Sequence, residues 1–417
     1  MRKLLILLIT LLITSQVFAQ ERQIFQDETA QAAWAEDIDY LLEKLQARHP
    51  NPHFRFSAAE FEQVAAELKA ELPYLTDDQI QMELARITAM LDGHTYLWLF
   101  QDRIGFHQYP ITLYEFAEGF YVVDADIDYA HLIGTRLLTV NGTDVQALYD
   151  RLAPYSSTDN EYHLKLWVTQ FMVSPEMLQA IGVIENADTP NMVFEDNVGE
   201  LVTVNFSTLI GHNMAMIGLP EQPAPLYLSN RAENFWYSYL EAVQTLYIQY
   251  NHVYSTTASG LSIRALASSI ESIAAENEVE RLVIDIRHNG GGDNTTYHSL
   301  INAIVASEFS EPGRLFVIIG RLTFSAAKDF ALDLAKQVDV IFVGEPSGGS
   351  PLNYGDNAGF RLPNSGIQFF VATTTINKAR PQDTELWIAP DILVPETAAD
   401  YFAGRDAALE AILNYGS

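Results

Sequence analysis

The sequence predicts an α/β protein with an N-terminal helical domain, a small β-rich module and a C-terminal α/β core. Three observations carry this. Apolar runs at 282–286, broken only by Asp285, at 315–319 and at 340–343 alternate with amphipathic stretches at about 295–306 and 325–337, the pattern of buried parallel strands joined by helices. Apolar residues recur every three or four positions through much of 32–91, and between 104 and 154 the pattern changes to short strands.

Trp34, Ile38, Leu41 and Leu45 form the stripe of a first helix, which ends before the extended His-Pro-Asn-Pro-His segment at 49–53. Ser57 opens a second helix to about 72, and a third from about Asp77 has Ile80, Leu84, Ile87 and Leu91 on one face. Gly93 then stands where a left-handed C-cap is expected, and 95–99 reads as a strand, so His94 falls at a helix-to-strand corner. In the β-rich stretch Asn141-Gly142 marks a hairpin before a helix at 145–152. The pattern of 155–231 is mixed, with strands expected at 191–206. The expected divisions are 20–100 helical, 101–155 β-rich, 156–235 connecting and 236–417 catalytic.

The 417 residues are 48% hydrophobic and 19% charged. Met-Arg-Lys, an apolar stretch from Leu4 to Leu12 and small residues ending at Ala19 predict a secretory signal peptide over 1–19, cut after Ala19. Its apolar part, about 15 residues, is short of the ~20 that span a bilayer. No membrane insertion is expected after signal removal, and the destination is periplasmic or extracellular. The chain has no cysteine, so an exported protein must rely on its core without disulfides. A net charge of −30 disfavours nucleic acid and anionic membranes as partners.

Chemistry concentrates in two strand-turn-helix segments. In the first, Gly290-Gly291-Gly292 allows backbone N–H groups to converge without side chains in the way, but it lacks the Lys and Ser/Thr of a phosphate-binding loop. In the second, Ser325 opens a helix, where an N-cap serine and a nucleophile beside an oxyanion-stabilising dipole are alternative readings. In a βαβαβ unit both loops leave the same sheet edge, so the two should be neighbours. Three bases compete: Lys328 at Ser-x-x-Lys spacing, with an exposed helical lysine as its ordinary reading, His94 at its corner, and the His49/His53 pair. Two prolines deny that pair the i, i+4 presentation of a metal site, so no metal is expected.

Leu-Asp-Gly-His-Thr at 91–95, Val-Ile-Asp-Ile-Arg-His-Asn-Gly-Gly-Gly at 283–292, Thr-Phe-Ser-Ala-Ala at 323–327, Val-Gly-Glu-Pro-Ser-Gly-Gly at 343–349 and Ile-Ala-Pro-Asp-Ile-Leu-Val-Pro-Glu-Thr at 388–397 occur in this order. The set resembles the C-terminal processing (tail-specific) serine peptidases, in their tricorn-like branch. That resemblance implies a crotonase/ClpP-like core with a PDZ-like module, although no carboxylate-binding loop is evident in the β-rich stretch. It implies Ser325 as nucleophile, His94 as base, the N–H groups of Gly291 and Ala326 as oxyanion donors, and no cofactor. The lysine of the processing branch is missing, with Ser350 in its slot. Where the tricorn-like pattern has a serine before the histidine this chain has Gly93. The acid falls on Glu385, with Asp383 as rival and Asp391 holding a turn. The implied partners are peptide or protein substrates; the alternative is a non-catalytic peptide- or ligand-binding protein on the same fold.

Overall fold

The chain from Phe235 onward builds one six-stranded sheet. In spatial order its strands are Ile392–Leu393, Ile341–Gly344, Leu315–Ile319, Arg281–Asp285, Thr245–Tyr250 and Phe235–Leu240, all parallel except the last. The computed structural model describes residues 23–186, 190–211 and 224–416; the expected signal peptide lies outside the described residues. Helices Ile263–Glu276, His298–Ala306 and Ser325–Ala335 cover one face through Leu266, Ile270, Leu300, Ile304, Phe330 and Leu334. The C-terminal helix Ala407–Leu413 covers the other with Leu409 and Ile412. Two covered faces explain why the central strands read as mostly apolar, with Asp285 buried at a strand end and paired with Arg287.

The three N-terminal helices are Glu28–Arg48, Ala58–Glu71 and Asp77–Ala89, started by Asp27 and by capping boxes at Ser57 and Thr76. Their stripes are buried, as the spacing requires. Gly93 differs from expectation. The third helix ends at Ala89 with Met90 as right-handed cap, and Gly93 is not in the left-handed region. Glycine is needed there for space, because a Cβ would stand 3.0 Å from the Phe324 ring and 3.1 Å from Oδ1 of Asp159.

The β-rich module is an antiparallel sheet of Ile111–Phe116, Gly119–Ala125, Arg136–Val140, Met192–Glu195 and Leu201–Val204, with Thr143–Asp144 as a side pairing. Its hairpin turns on Asn141 and Gly142, both at positive φ. The sheet thus recruits strands beyond residue 155. One apolar cluster joins Leu41 and Ile87 of the helices to Val122 and Phe194 of the module, and to Phe369 and Val371 from the last third. Those two belong to the strand Gln368–Val371, which pairs antiparallel with Tyr96–Leu97, immediately after His94.

Candidate active site

Ser325 follows the strand Leu315–Ile319 and a five-residue turn. Phe324 is the helix N-cap and makes no side-chain cap bond, while Ser325 itself sits at φ +49°. It is therefore no capping serine. A non-glycine residue in that region costs about 1–2 kcal/mol, and a strained strand-to-helix corner is how a serine hydroxyl is lifted from a buried strand end. The turn is tied to the glycine loop: the Phe324 N–H donates to Asn289 O (3.2 Å) and Thr323 Oγ1 to Ile286 O (2.9 Å). A Cβ on Gly291 would lie 2.7 Å from Ser325 Cβ and 3.0 Å from the Ala326 nitrogen. The two loops are neighbours, with glycine at the point of closest approach.

His94 meets Ser325 across 231 residues, with Nε2 3.1 Å from Oγ. Three sets of bonds place it. Asp92 Oδ1 accepts the His94 N–H (2.7 Å), and its Oδ2 accepts from His49 Nε2 (2.7 Å) and Thr95 Oγ1 (3.1 Å). The strand pairing of Tyr96–Leu97 is extended by the Ala372 N–H donating to Thr95 Oγ1 (3.1 Å). Finally, the Phe324 ring lies between the His94 imidazole (4.5 Å, 20°) and that of His163 (4.3 Å, 26°). Burial pushes the His94 pKa below the ordinary value, opposed by Asp159 and Asp92, so the ring is neutral at pH 7 and able to accept a proton.

The other expected residues divide. Lys328 is fully buried rather than exposed; its Nζ donates to Asn353 Oδ1 (2.9 Å) and stands 2.6 Å from Asp329 Oδ1. It is committed there, with no hydrogen bond to Ser325 among those of the described residues. Glu385 is exposed and is not brought to His94, whose buried Nδ1 has no hydrogen-bond partner among the described residues. Its neighbour Leu386 does reach the site through its carbonyl, which accepts from Asn160 Nδ2 (2.8 Å) and Ser350 Oγ (2.5 Å). Asp383 pairs with Arg380 (2.8 Å), and Asp391 accepts the Phe342 N–H (2.8 Å). Of the oxyanion pair, Ala326 lies in the first helical turn, where N–H groups lack intrahelical acceptors. The Gly291 N–H instead donates to Asn289 Oδ1 (2.9 Å).

Sequence reasoning missed Asp159 and undervalued the 49–55 segment. Asp159, fully buried, accepts the N–H of Gly93 at Oδ1 (2.9 Å) and of Ser350 at Oδ2 (3.2 Å). Arg55 donates to Leu91 O (2.5 Å) and Asp159 O (2.8 Å). His49 serves Asp92 rather than a metal. A possible signal for His49 was its place beside two prolines; Asp159 sits in a stretch without local periodicity. Asp92, His94 and Asp159 each offer one ligand-type atom within 4.8 Å of the others. All four carboxylate oxygens already accept protein donors and Nε2 faces Ser325, so the set fits a hydrogen-bonded corner better than a metal centre.

No family model matches the chain, and no curated protein matches it. Solved structures do. Mature CPAF complexed with lactacystin is 14% identical with a TM-score of 0.63, over 92% of this chain and 97% of that one. A CPAF mutant is 13% identical at 0.64, over 93% and 99%, and mature CPAF is 15% identical at 0.62, over 93% and 99%. At such identities the likeness is one of fold: almost end to end, this chain has the fold of mature CPAF.

Proposed function

We propose that the chain is a serine peptidase, exported to the periplasm or beyond, that hydrolyses peptide bonds through a Ser325 acyl-enzyme. The observation that carries this reading is the 3.1 Å contact between His94 Nε2 and Ser325 Oγ, formed by segments 231 residues apart. The pair closes on a serine held at φ +49°, and backbone strain of this kind clusters at active sites. The CPAF-like fold and the ordered motifs support it, and with them a crotonase/ClpP-like core and a PDZ-like module.

In the proposed reaction His94 Nε2 takes the Ser325 proton as Oγ attacks the peptide carbonyl, and returns it to the leaving amine. The oxyanion rests on the Ala326 N–H and on the Gly291 N–H, the latter shared with Asn289. Each donor is worth about 10²–10³ in rate. Water then attacks the acyl-enzyme with His94 again as base. These steps use no metal or organic cofactor, and the partners are peptide or protein substrates.

A fluorophosphonate probe tests the reading. Labelling of the wild type at Ser325, lost in Ser325→Ala, is expected alongside cleavage of an unstructured protein substrate. A folded wild type that takes no label and cleaves nothing returns the chain to a non-catalytic binding role.

A further inference from the structure

We propose that Asp159, rather than Glu385, is the carboxylate that orients His94 and steadies its imidazolium as the serine proton arrives. The inference rests on the Ser325–His94 reading and deepens it. Nε2 of His94 is taken by Ser325, and among the described residues buried Nδ1 has no hydrogen-bond partner, which leaves the ring dependent on charges acting through space. A carboxylate oxygen of Asp159 lies in the same 4.8 Å cluster as a His94 ring nitrogen. At such a separation and away from water, an anion favours the protonated imidazole strongly. An exposed carboxylate such as Glu385 is screened.

The surroundings are built for this carboxylate. Its oxygens hold the N–H of Gly93, next to the base, and of Ser350, on the loop that follows the Val-Gly-Glu strand end. Gly93 has no side chain to compete, and a Cβ there would press on Oδ1 at 3.1 Å. Asp92 is the nearest rival, but its oxygens accept from three donors that fix the backbone of the corner. The charged and titratable groups facing His94 are Asp159, Asp92, Lys328, Asp329 and, across the Phe324 ring, His163. Among them Asp159 does most to favour the cation, while Lys328 opposes it. In the step itself the Ser325 proton moves to Nε2 and the other ring nitrogen keeps its hydrogen; burial raises the Asp159 pKa, while the imidazolium and the Gly93 and Ser350 N–H groups favour its anion. Asp159 is thus a positioning residue that touches neither substrate nor Oγ.

The test follows the His94 imidazole by NMR titration without substrate, its resonance identified by its loss in His94→Gln, together with the pH dependence of fluorophosphonate labelling. In Asp159→Asn the His94 midpoint is expected to fall by about one pH unit. In Asp159→Glu, which keeps the charge, and in Glu385→Gln it is expected to stay at the wild-type value. An unmoved midpoint in folded Asp159→Asn, or a fall in Glu385→Gln, overturns the proposal, as does Asp92→Asn producing the fall that Asp159→Asn does not. If Asp159→Asn fails to fold, Asp159→Glu and Glu385→Gln decide: both at the wild-type midpoint supports the proposal, and a fall in either overturns it. Because the titration needs no turnover, a chain that takes no label and cleaves nothing would sink the peptidase reading while leaving the Asp159 shift to be measured.

Discussion

His94 and Ser325 have opposite relations to stability. His94→Ala removes the proton acceptor, and peptide hydrolysis is expected to fall by about 10²–10⁴-fold with the fold intact, measured by steady-state kinetics and circular dichroism. Ser325 holds φ +49° at a cost. Ser325→Gly should abolish labelling yet melt at higher temperature than Ser325→Ala, by the equivalent of about 1 kcal/mol, since glycine relieves the strain and alanine keeps it. Equal melting temperatures would show that the corner is unstrained. The proton-accepting form of His94 is the neutral one, and burial holds its pKa below the usual value of about 6.5. The acid limb of kcat/KM should accordingly have its midpoint below pH 6.5, with activity rising through it and level at pH 7.

Two glycines govern how elements approach one another. Gly93 lets the segment leading to the Tyr96–Leu97 strand enter against the Phe324 ring and Asp159, and Gly93→Ala forces both to give by a few tenths of an ångström. A small displacement of His94 is enough to cost roughly ten- to a hundredfold in kcat, with little change in melting temperature. Gly291→Ala is more severe, because φ is +112° and the new Cβ would meet Ser325 Cβ at 2.7 Å. About 1–3 kcal/mol of stability should be lost together with fluorophosphonate labelling, read by denaturant unfolding and by the labelling rate. The element pattern was largely legible: the helix at Val145–Leu152 and the strand at Leu315–Ile319 occupy the expected residues, and the Asn141-Gly142 hairpin forms. The role of Gly93 was not, because a space requirement set by Phe324 and Asp159, both remote in sequence, leaves no local signature.

Across the whole molecule, buried rings join distant segments at His163 and Phe324, and buried charges depend on their partners. Lys328 and Asp329 are both buried, so Lys328→Met leaves an uncompensated carboxylate and should cost about 3–5 kcal/mol, seen as a large fall in melting temperature. His163 packs behind Phe324 and accepts from Trp167 Nε1 (2.8 Å); burial, helped by His94, lowers its pKa to about 3. The unfolded chain therefore binds a proton at this residue below about pH 6.5 that the folded chain refuses down to about pH 3, and stability falls with pH across that window. Buried Asp159 and Asp406, whose pKa values burial raises, act in the opposite sense, so the effect is isolated by comparison. His163→Leu should lose stability at pH 7 through the stranded indole N–H but lose less than the wild type between pH 7 and 5. A parallel pH dependence in both proteins would remove His163 from the account.

The alternation of buried strands and amphipathic helices, the glycine loop, the serine at a helix start and the histidine at a corner are all legible in the order of residues. These depend on period, propensity and the conformational demands of single residues, which are local. Three-dimensional packing is what buries Lys328 beside Asp329, leaves Glu385 exposed, merges the helical and β-rich segments into one core and stands Asp159 beside His94. Those outcomes depend on which distant segments meet, here through the pairing of Tyr96–Leu97 with Gln368–Val371 and the clamps made by Asp92, Arg55 and Asp159. A side chain's partner across such a contact is fixed by packing, and a carboxylate in an aperiodic stretch carries no sign of it beforehand.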